Sequence, residues 1–259
     1  MHVSKRTLKT ILQNNMDYSH EQLKPYRSEG EKVEQIEEMF NSIAPEYDRF
    51  NYIASMTIDK IWRKRAILSL KPFAPRKVLD IATGTGDLAI LISKKLKPEI
   101  VIGCDISEGM MNVARNKCQK RGISNVKFEK EDCTALSYPD NSFDAVTSSF
   151  GIRNFQELDK ALGEMCRVLR KEGKLVLLEL STPVKFPMKQ LFPIYTRYFM
   201  PLLGRLFSKD TKAYKYLPDS IASFPQGEVL ESAIKRAGFS EVKFRRLTGG
   251  VCTLYIATK

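Results

Sequence analysis

Two glycines in a short turn, with an acid on the strand before them, are the residues whose types and spacing could act most directly in ligand chemistry. Gly84 and Gly86 lie in VLDIATGTGDLA, residues 78–89, where a buried strand is expected to run through a turn into a helix. Glycine permits backbone angles and close ligand approach that a Cβ would obstruct, and N–H groups of the first helical turn point at the ligand. The same letters fit the G-x-G-x-x-A pattern of nicotinamide-binding proteins, so the turn alone does not identify the ligand. Asp80 favours the ammonium of a methionine moiety, because its carboxylate would repel a pyrophosphate. Thr85, between the glycines, is assigned to the same site.

Further polar residues follow the next predicted strands. Asp105 ends the second strand, from where a carboxylate accepts both hydroxyls of a ribose; the alternative is an N-cap for the helix that opens at Ser107. Asp132 and Cys133 follow the third strand, where a carboxylate can accept from an adenine amino group and a backbone N–H can meet a ring nitrogen. The alternative there is a solvated strand end. Ser149 closes the fourth strand and borders the same cleft, because ligands in such sheets bind at the carboxyl ends of strands. The pattern predicts a sulfonium nucleoside, S-adenosylmethionine, rather than a dinucleotide.

The elements that must position these residues alternate along the chain. Short apolar runs and helical stretches follow one another from residue 77, which predicts βαβ units around a parallel sheet. The predicted strands are 77–81, 100–105, 127–131, 143–148 and 174–180, and the predicted helices are 87–96, 107–121, 156–170 and 227–237. Two β-rich runs joined by Thr248-Gly249-Gly250 predict a final hairpin. The expected fold class is α/β, a doubly wound, Rossmann-like, seven-stranded and mostly parallel sheet with a C-terminal antiparallel hairpin.

The 259 residues are expected to form one domain, because a chain of this length supports one large core. Amphipathic helices over 31–43 and 57–70 predict an N-terminal helical cap. The expected segments are the cap 1–72, a cofactor-binding core 73–182, a helical insertion 183–224, and a final helix and hairpin 225–259.

The charge balance favours an anionic partner. Lys and Arg number 42 against 30 Asp and Glu, for a formal charge of +12, and thirteen basic residues face five acidic ones after residue 182. Nucleic acid, an acidic lipid surface and an acidic substrate all fit this sign. No nucleic-acid-binding motif is visible, so a nucleic-acid partner is not expected.

Cysteine usage and apolar runs bear on the compartment. The five cysteines are odd in number and form no C-x-x-C pair, so neither a disulfide framework nor a metal site is indicated. No secretory signal and no apolar run of about eighteen residues is recognised. We therefore expect a cytoplasmic protein whose membrane contact, at the inner face of the cell membrane, is at most peripheral.

Several segments resemble a known family. VLDIATGTGD, the acid of GCDIS, EDCTALSYPDNSFDAVTSSF and VLRKEGKLVLLEL are similar to successive motifs of class I methyltransferases. MFNSIAPEYDRFN, GIRNF, LELSTP and KYLPDSIASFP resemble, in order, segments of the ubiquinone/menaquinone biosynthesis C-methyltransferases, from about residue 39 to the terminus. Ala82 departs from the general class, in which many members have a glycine at that place.

The resemblance implies a reaction and a substrate. It implies S-adenosylmethionine-dependent C-methylation of demethylmenaquinol to menaquinol, with a polyprenylated quinol as partner. Methylation of a polyprenyl benzoquinol in ubiquinone biosynthesis, or of another small molecule or lipid, stays open. A nicotinamide-dependent reductase is the alternative from another enzyme class.

The candidate catalytic residues follow the fourth predicted strand. A quinol carbon becomes nucleophilic when a neighbouring hydroxyl loses its proton, so the site must stabilise a developing phenolate. His2 and His20 lie in a polar N-terminal extension, and a histidine base is therefore not expected. Arg153 could hold the quinol oxygen or a bridging water, and Asn154 could orient it. The alternative for Arg153 is an ion pair with an acid of the cap.

Two residues of the cap are further candidates. Tyr47 and Asp48 lie in the loop predicted after Pro45, from which they could close over cofactor or substrate. The alternative is a helix-breaking turn with no part in the site.

The insertion contains a basic, apolar stretch. Residues 183–207 interleave large apolar side chains with Lys and Arg, as expected of a helix at an anionic lipid interface. The hypothesis is that this stretch handles the polyprenyl tail. Core packing and a homodimer contact fit the same periodicity.

Overall fold

A seven-stranded mixed sheet forms the centre of the molecule. The computed structural model describes residues 18–200, Leu203 and residues 211–259. The strands are β1 Lys77–Ile81, β2 Ile100–Asp105, β3 Val126–Lys130, β4 Phe143–Ser149, β5 Leu169–Leu180, β6 Ser240–Leu247 and β7 Cys252–Thr258. Their order is β3-β2-β1-β4-β5-β7-β6. β1 to β5 are parallel, and β7 runs antiparallel to β5 and β6. The predicted fold class is confirmed.

One difference from the predicted elements is the start of β5. This strand begins at Leu169 rather than at residue 174, and the helix predicted over 156–170 ends at Val168. Leu169 is fully buried and pairs with Phe143 of β4. Pairing with the sheet therefore overrides the helical pattern of the sequence at this point.

Helices cover both faces of the sheet, as a parallel sheet requires. The helices are α1 Lys32–Ile43, α2 Tyr47–Ala54, α3 Ile58–Leu70, α4 Asp87–Leu96, α5 Glu108–Lys120, α6 Leu158–Val168, α7 Met188–Ile194, α8 Thr211–Ser223 and α9 Glu228–Arg236. The core on one face contains residues of α6 and α9, and the core on the other contains residues of α3 and α4. A third apolar cluster joins α1 and α2 to Met200, Leu203, Ala213 and Tyr216 of the insertion.

The segment after Pro45 is not a loop. Tyr47 and Asp48 begin the short helix α2, and Phe50 and Ala54 of that helix are buried. The proline ends α1, but burial of these apolar side chains restores helical structure after only one turn. The prediction of a cap loop was wrong here.

His20 does not lie in a solvated extension. Its side chain is fully buried, and its ring packs edge-on against Phe224 with centroids 4.9 Å apart. Burial, and then the charge of Lys32, lower the pKa of His20 to about 3. His2 lies outside the described residues. Among the residues described, no helix is long and apolar enough to cross a membrane.

Candidate active site

A cavity of about 140 Å³ lies at the carboxyl ends of β1, β2 and β4. Its lining includes six of the predicted cofactor residues, namely Gly84, Thr85, Asp105, Asp132, Cys133 and Ser149. Tyr47 and Asn154, predicted as catalytic residues, line it as well. Residues that are far apart in the sequence are therefore brought to one crevice by the parallel sheet.

The two glycines of the turn have different surroundings. Gly84 has a φ of +56°, and a methyl group added to it would meet no atom within 4 Å, so open space for a ligand lies above its backbone. Gly86 also has a positive φ, of +77°, but an added methyl group would lie 2.9 Å from Ala114 and from Phe128. Close ligand approach was predicted for both glycines. It fits Gly84, whereas Gly86 allows the turn to pack against α5 and β3.

Asp105 is held by the backbone around the turn. Its Oδ2 accepts from the backbone N–H of Gly84 at 2.8 Å, and Oδ1 accepts from that of Ser107 at 2.9 Å. Ser107 itself caps α5, because its Oγ accepts from the backbone N–H of Met110. The alternative of Asp105 as the N-cap was therefore wrong. Burial raises the pKa of Asp105. A carboxylate has about four lone-pair sites, so Asp105 retains the capacity to accept a hydrogen bond from a ligand.

Asp80 lies one layer below the cavity. Its carboxylate accepts from the hydroxyls of Thr83, at 2.7 Å, and Thr147, at 2.6 Å. Burial raises the pKa of Asp80 to about 6. In the part of the chain that the structure describes, Thr83 lines the cavity and Asp80 does not. Asp80 can therefore affect a ligand only through Thr83 or through its own negative charge. That the Asp80 carboxylate attracts an ammonium group stays a prediction.

Asp48 fastens the cap to the glycine turn rather than facing a cavity. Its Oδ1 accepts from the hydroxyl of Thr85 at 2.6 Å, and its Oδ2 accepts from Nζ of Lys117 at 2.8 Å. Lys117 also pairs with Asp87 at 2.6 Å. The position of Tyr47, the neighbour of Asp48, is thereby fixed relative to the turn.

A second, larger and mostly apolar cavity adjoins the first. It measures about 310 Å³ and lies between the cap helices and the insertion. Side chains of α7 and α8 form one wall, and those of α1, α2 and α3 form the other. The residues that line both cavities are Phe40, Tyr47, Arg63, Phe150 and Asn154. These residues form the boundary between the two cavities. The first has the larger share of polar lining and is called the polar cavity, and the second is called the apolar cavity.

Several buried polar atoms without a partner lie at this boundary or in the apolar cavity beside it. Nε of Arg63, Nε of Arg153, both amide atoms of Asn154 and the hydroxyl of Tyr216 have no hydrogen-bond partner among the described residues. Buried polar groups are normally paired in folded proteins. Their position indicates a place where a polar ligand group completes the structure.

Arg153 lines the apolar cavity, and an acid of the sheet holds it. Its Nη1 donates to Oε1 of Glu179 at 2.8 Å and to the backbone oxygen of Phe150. Glu179 belongs to β5, so an ion pair with an acid of the cap was the wrong alternative. Asn154 follows in the same turn and lines both cavities.

Sequence reasoning missed several residues of the site. Arg63 is buried and pairs with Asp59, whose Oδ1 accepts from Ser55 at 2.6 Å. An acid and a base four residues apart on the buried face of α3 could have indicated this pair. Glu179, an acid inside the apolar run LVLLEL, was a comparable indication.

Comparison with known proteins gives a consistent result. The model of the ubiE/COQ5 methyltransferase family matches residues 28–259. The chain is 58% identical over 245 residues to demethylmenaquinone methyltransferase of Bacteroides fragilis, covering 94% of this chain and 100% of that protein. It is 46% identical over 244 residues to demethylmenaquinone methyltransferase of Porphyromonas gingivalis, covering 93% of this chain and 99% of the relative.

Solved structures agree on the fold. A SAM-dependent methyltransferase of Thermotoga maritima, described as a possible histamine N-methyltransferase, superposes with a TM-score of 0.61 at 22% identity. The superposition covers 86% of this chain and 99% of that structure. At this identity the likeness supports the sheet architecture alone.

Proposed function

Since this chain belongs to the ubiE/COQ5 methyltransferase family, we propose that it methylates a ring carbon of demethylmenaquinol, with S-adenosylmethionine as donor, to yield menaquinol. The family resemblance of the motifs is confirmed, and the glycine turn belongs to a methyltransferase rather than to a nicotinamide enzyme. One observation carries the choice of substrate. A polar cavity beside the glycine turn adjoins an apolar cavity, and unpartnered polar atoms lie at their boundary.

The polar cavity fits the cofactor. Gly84 leaves open space above its backbone, and Asp105 retains the capacity to accept from a ribose hydroxyl. Asp132, Cys133 and Ser149 would border the adenine and the rest of the nucleoside. When bound, S-adenosylmethionine supplies a methyl group that a carbon nucleophile can accept.

The apolar cavity fits a quinol with an isoprenoid chain. Arg153, held by Glu179, presents its positive charge to this cavity, where it would stabilise the developing phenolate of the quinol. Asn154 and Tyr47 line both cavities and would orient the ring for in-line transfer. In the net reaction the ring carbon exchanges its hydrogen for a methyl group, a proton is released, and S-adenosylhomocysteine remains.

A direct assay tests the substrate. Purified protein is given radiolabelled S-adenosylmethionine with demethylmenaquinol and, in parallel, with the benzoquinol precursor of ubiquinone. We expect methylated naphthoquinol as the main product. If the benzoquinol were methylated preferentially, it would be the substrate instead of the naphthoquinol. Transfer of the methyl group to neither compound would refute a quinol substrate.

We further propose that the outer face of residues 183–199 contacts an anionic membrane, from which the lipid substrate enters. Phe186, Ile194 and Tyr198 on this face are 82%, 57% and 68% exposed. Lys185 and Lys189 lie in the same stretch. The inner side of α7 lines the apolar cavity, so one short element borders both the surface and the quinol site. Part of the predicted membrane stretch, residues 201–202 and 204–207, lies outside the described residues.

Flotation with vesicles tests this contact. We expect binding to phosphatidylglycerol vesicles, weaker binding to phosphatidylcholine, and loss of binding in the variant Lys185→Glu/Lys189→Glu. The matched control Lys243→Glu/Arg245→Glu changes the same charge on the exposed side of β6 and should still bind. Equal binding of phosphatidylglycerol vesicles by the two double variants would contradict a membrane contact at this face. A dimer that buries the face in solution would support the homodimer alternative instead.

A further inference from the structure

Arg63 is a buried cation that lines both cavities. It lies on α3, only 7% of it is exposed, and its guanidinium stands over the ring of Phe150 with Cζ 5.1 Å from the centroid. A buried charge is costly unless it is paired, so the partners of this guanidinium indicate its function.

Only one edge of the guanidinium is occupied. Nη1 donates to Oδ2 of Asp59, which belongs to the preceding turn of α3. Nε is buried and has no partner among the residues that the structure describes. The edge formed by Nε and Nη2 is therefore available for a ligand with two acceptor atoms in one plane.

Arg63 lies at the β4 end of the polar cavity, because its guanidinium stands over Phe150, which directly follows β4. Asp132 follows β3, Asp105 ends β2, and the glycine turn follows β1, so nucleoside-binding residues extend from the sheet edge towards its centre. Trp62, the neighbour of Arg63, packs in the same core as Leu88 in the first turn of α4.

Electrostatic effects agree with this placement. Burial raises the pKa of Asp87, but Lys117 and then Arg63 lower it, and the net shift is downward. Arg63 thus lies near the start of α4, whose backbone N–H groups favour an anion.

We propose that Arg63 binds the carboxylate of the aminoacyl group of the methyl donor through Nε and Nη2. The inference rests on the proposed function, because it presumes that the donor occupies the polar cavity. A guanidinium edge matches the two oxygens of a carboxylate, whereas a quinol offers a single oxygen at a time. Arg153 already serves the quinol side with a guanidinium of its own. Arg63 therefore recognises the amino-acid end of the cofactor and separates it from the apolar cavity.

The test compares ligands that differ at this end. Calorimetry measures binding of S-adenosylhomocysteine, of 5′-methylthioadenosine, which lacks the aminoacyl group, and of decarboxylated S-adenosylmethionine. For Arg63→Gln we expect about 10- to 100-fold weaker binding of S-adenosylhomocysteine, the loss of one charge-assisted hydrogen-bonded pair. Affinities for the two ligands without a carboxylate should change by no more than about twofold. Arg65→Gln, an exposed arginine of the same helix, serves as the matched control.

A second variant separates ligand binding from folding. Arg63→Gln leaves the buried Asp59 without its ion-pair partner, so Asp59→Asn/Arg63→Gln is measured beside it. A selective loss of S-adenosylhomocysteine in either variant supports the inference. Unchanged affinity, or an equal loss for all three ligands in both variants, overturns it. Failure of the wild-type protein to bind S-adenosylhomocysteine at all would instead refute the proposed function.

Discussion

The carboxylate of Glu179 holds the guanidinium of Arg153 in the wall of the apolar cavity. Oε1 lies 2.8 Å from Nη1, and the side chains are only 2% and 8% exposed. Oε2 accepts in addition from the backbone N–H of Arg153 at 3.2 Å. The central sheet therefore fixes the cation that we assign to the quinol oxygen.

The first prediction concerns this ion pair. Glu179→Gln should lower turnover of the quinol about 10- to 100-fold, because Arg153 loses its orienting charge. The affinity for S-adenosylhomocysteine should stay within about threefold, and unfolding should become easier by about 3–5 kcal/mol. Turnover is measured by stopped assays, affinity for S-adenosylhomocysteine by calorimetry, and stability by urea denaturation. The control is Asp144→Asn, at the start of β4, whose ion-pair partner Arg170 lies 2.6 Å away at the start of β5; this change should leave turnover unchanged. Normal turnover in Glu179→Gln would remove the pair from the chemistry.

The second prediction concerns the contact between Gly151 and Ala82. Gly151 has a φ of −106°, which any residue adopts, but an added Cβ would collide with that of Ala82. Gly151→Ala should therefore destabilise the fold by about 1–3 kcal/mol and weaken cofactor binding. The double variant Ala82→Gly/Gly151→Ala should recover most of both losses, because the opposing methyl group is gone.

Denaturant unfolding of the single and double variants checks this prediction. Gly163→Ala is the control, because no atom lies within 4 Å of the added methyl group and the residue is inside α6. That change should stabilise the protein by about 0.5–1 kcal/mol. Absence of recovery in the double variant would mean that another contact constrains Gly151.

The third prediction concerns the pH dependence of stability. Burial raises the pKa of Asp80 to about 6 in the folded protein, against 3.8 ordinarily. Between about pH 4 and pH 6 the folded protein thus retains a proton that the unfolded chain has lost. The contribution of Asp80 to the free energy of unfolding is therefore fully present below about pH 4. It is lost as the pH rises to about 6, by up to about 3 kcal/mol. The difference in unfolding free energy between wild type and Asp80→Asn should follow this course, and a constant difference would count against it.

The fourth prediction links the same group to the cofactor. Above about pH 6 Asp80 is ionised, and its charge should favour an ammonium nearby. Binding of S-adenosylhomocysteine should therefore strengthen from about pH 5 to about pH 7, whereas binding of 5′-methylthioadenosine should not. Asp80→Asn should abolish the difference between the ligands. Parallel pH profiles for both ligands in the wild type would show that Asp80 acts only on Thr83.

The meeting of the predicted residues in the polar cavity was largely predictable from the sequence. Gly84, Asp105, Asp132 and Ser149 follow strand ends, and a parallel sheet brings such ends to one edge whatever the side chains elsewhere. Sequence patterns failed where the surroundings of a residue come from other elements of the fold. The sequence could not show that Gly86 differs from Gly84, because Ala114 and Phe128, which surround Gly86, belong to elements that are distant in the chain.

The acceptor half was decided by tertiary structure. The sequence by itself determined the alternation of strands and helices, the family and the position of Arg153 after β4, since these depend on local pattern. Which acid holds Arg153, and which cation lines both cavities, depend on contacts between residues far apart in the chain, such as Glu179 with Arg153. Burial then determines how much those charges cost or contribute in free energy. Burial is a property of the packed molecule rather than of any one segment.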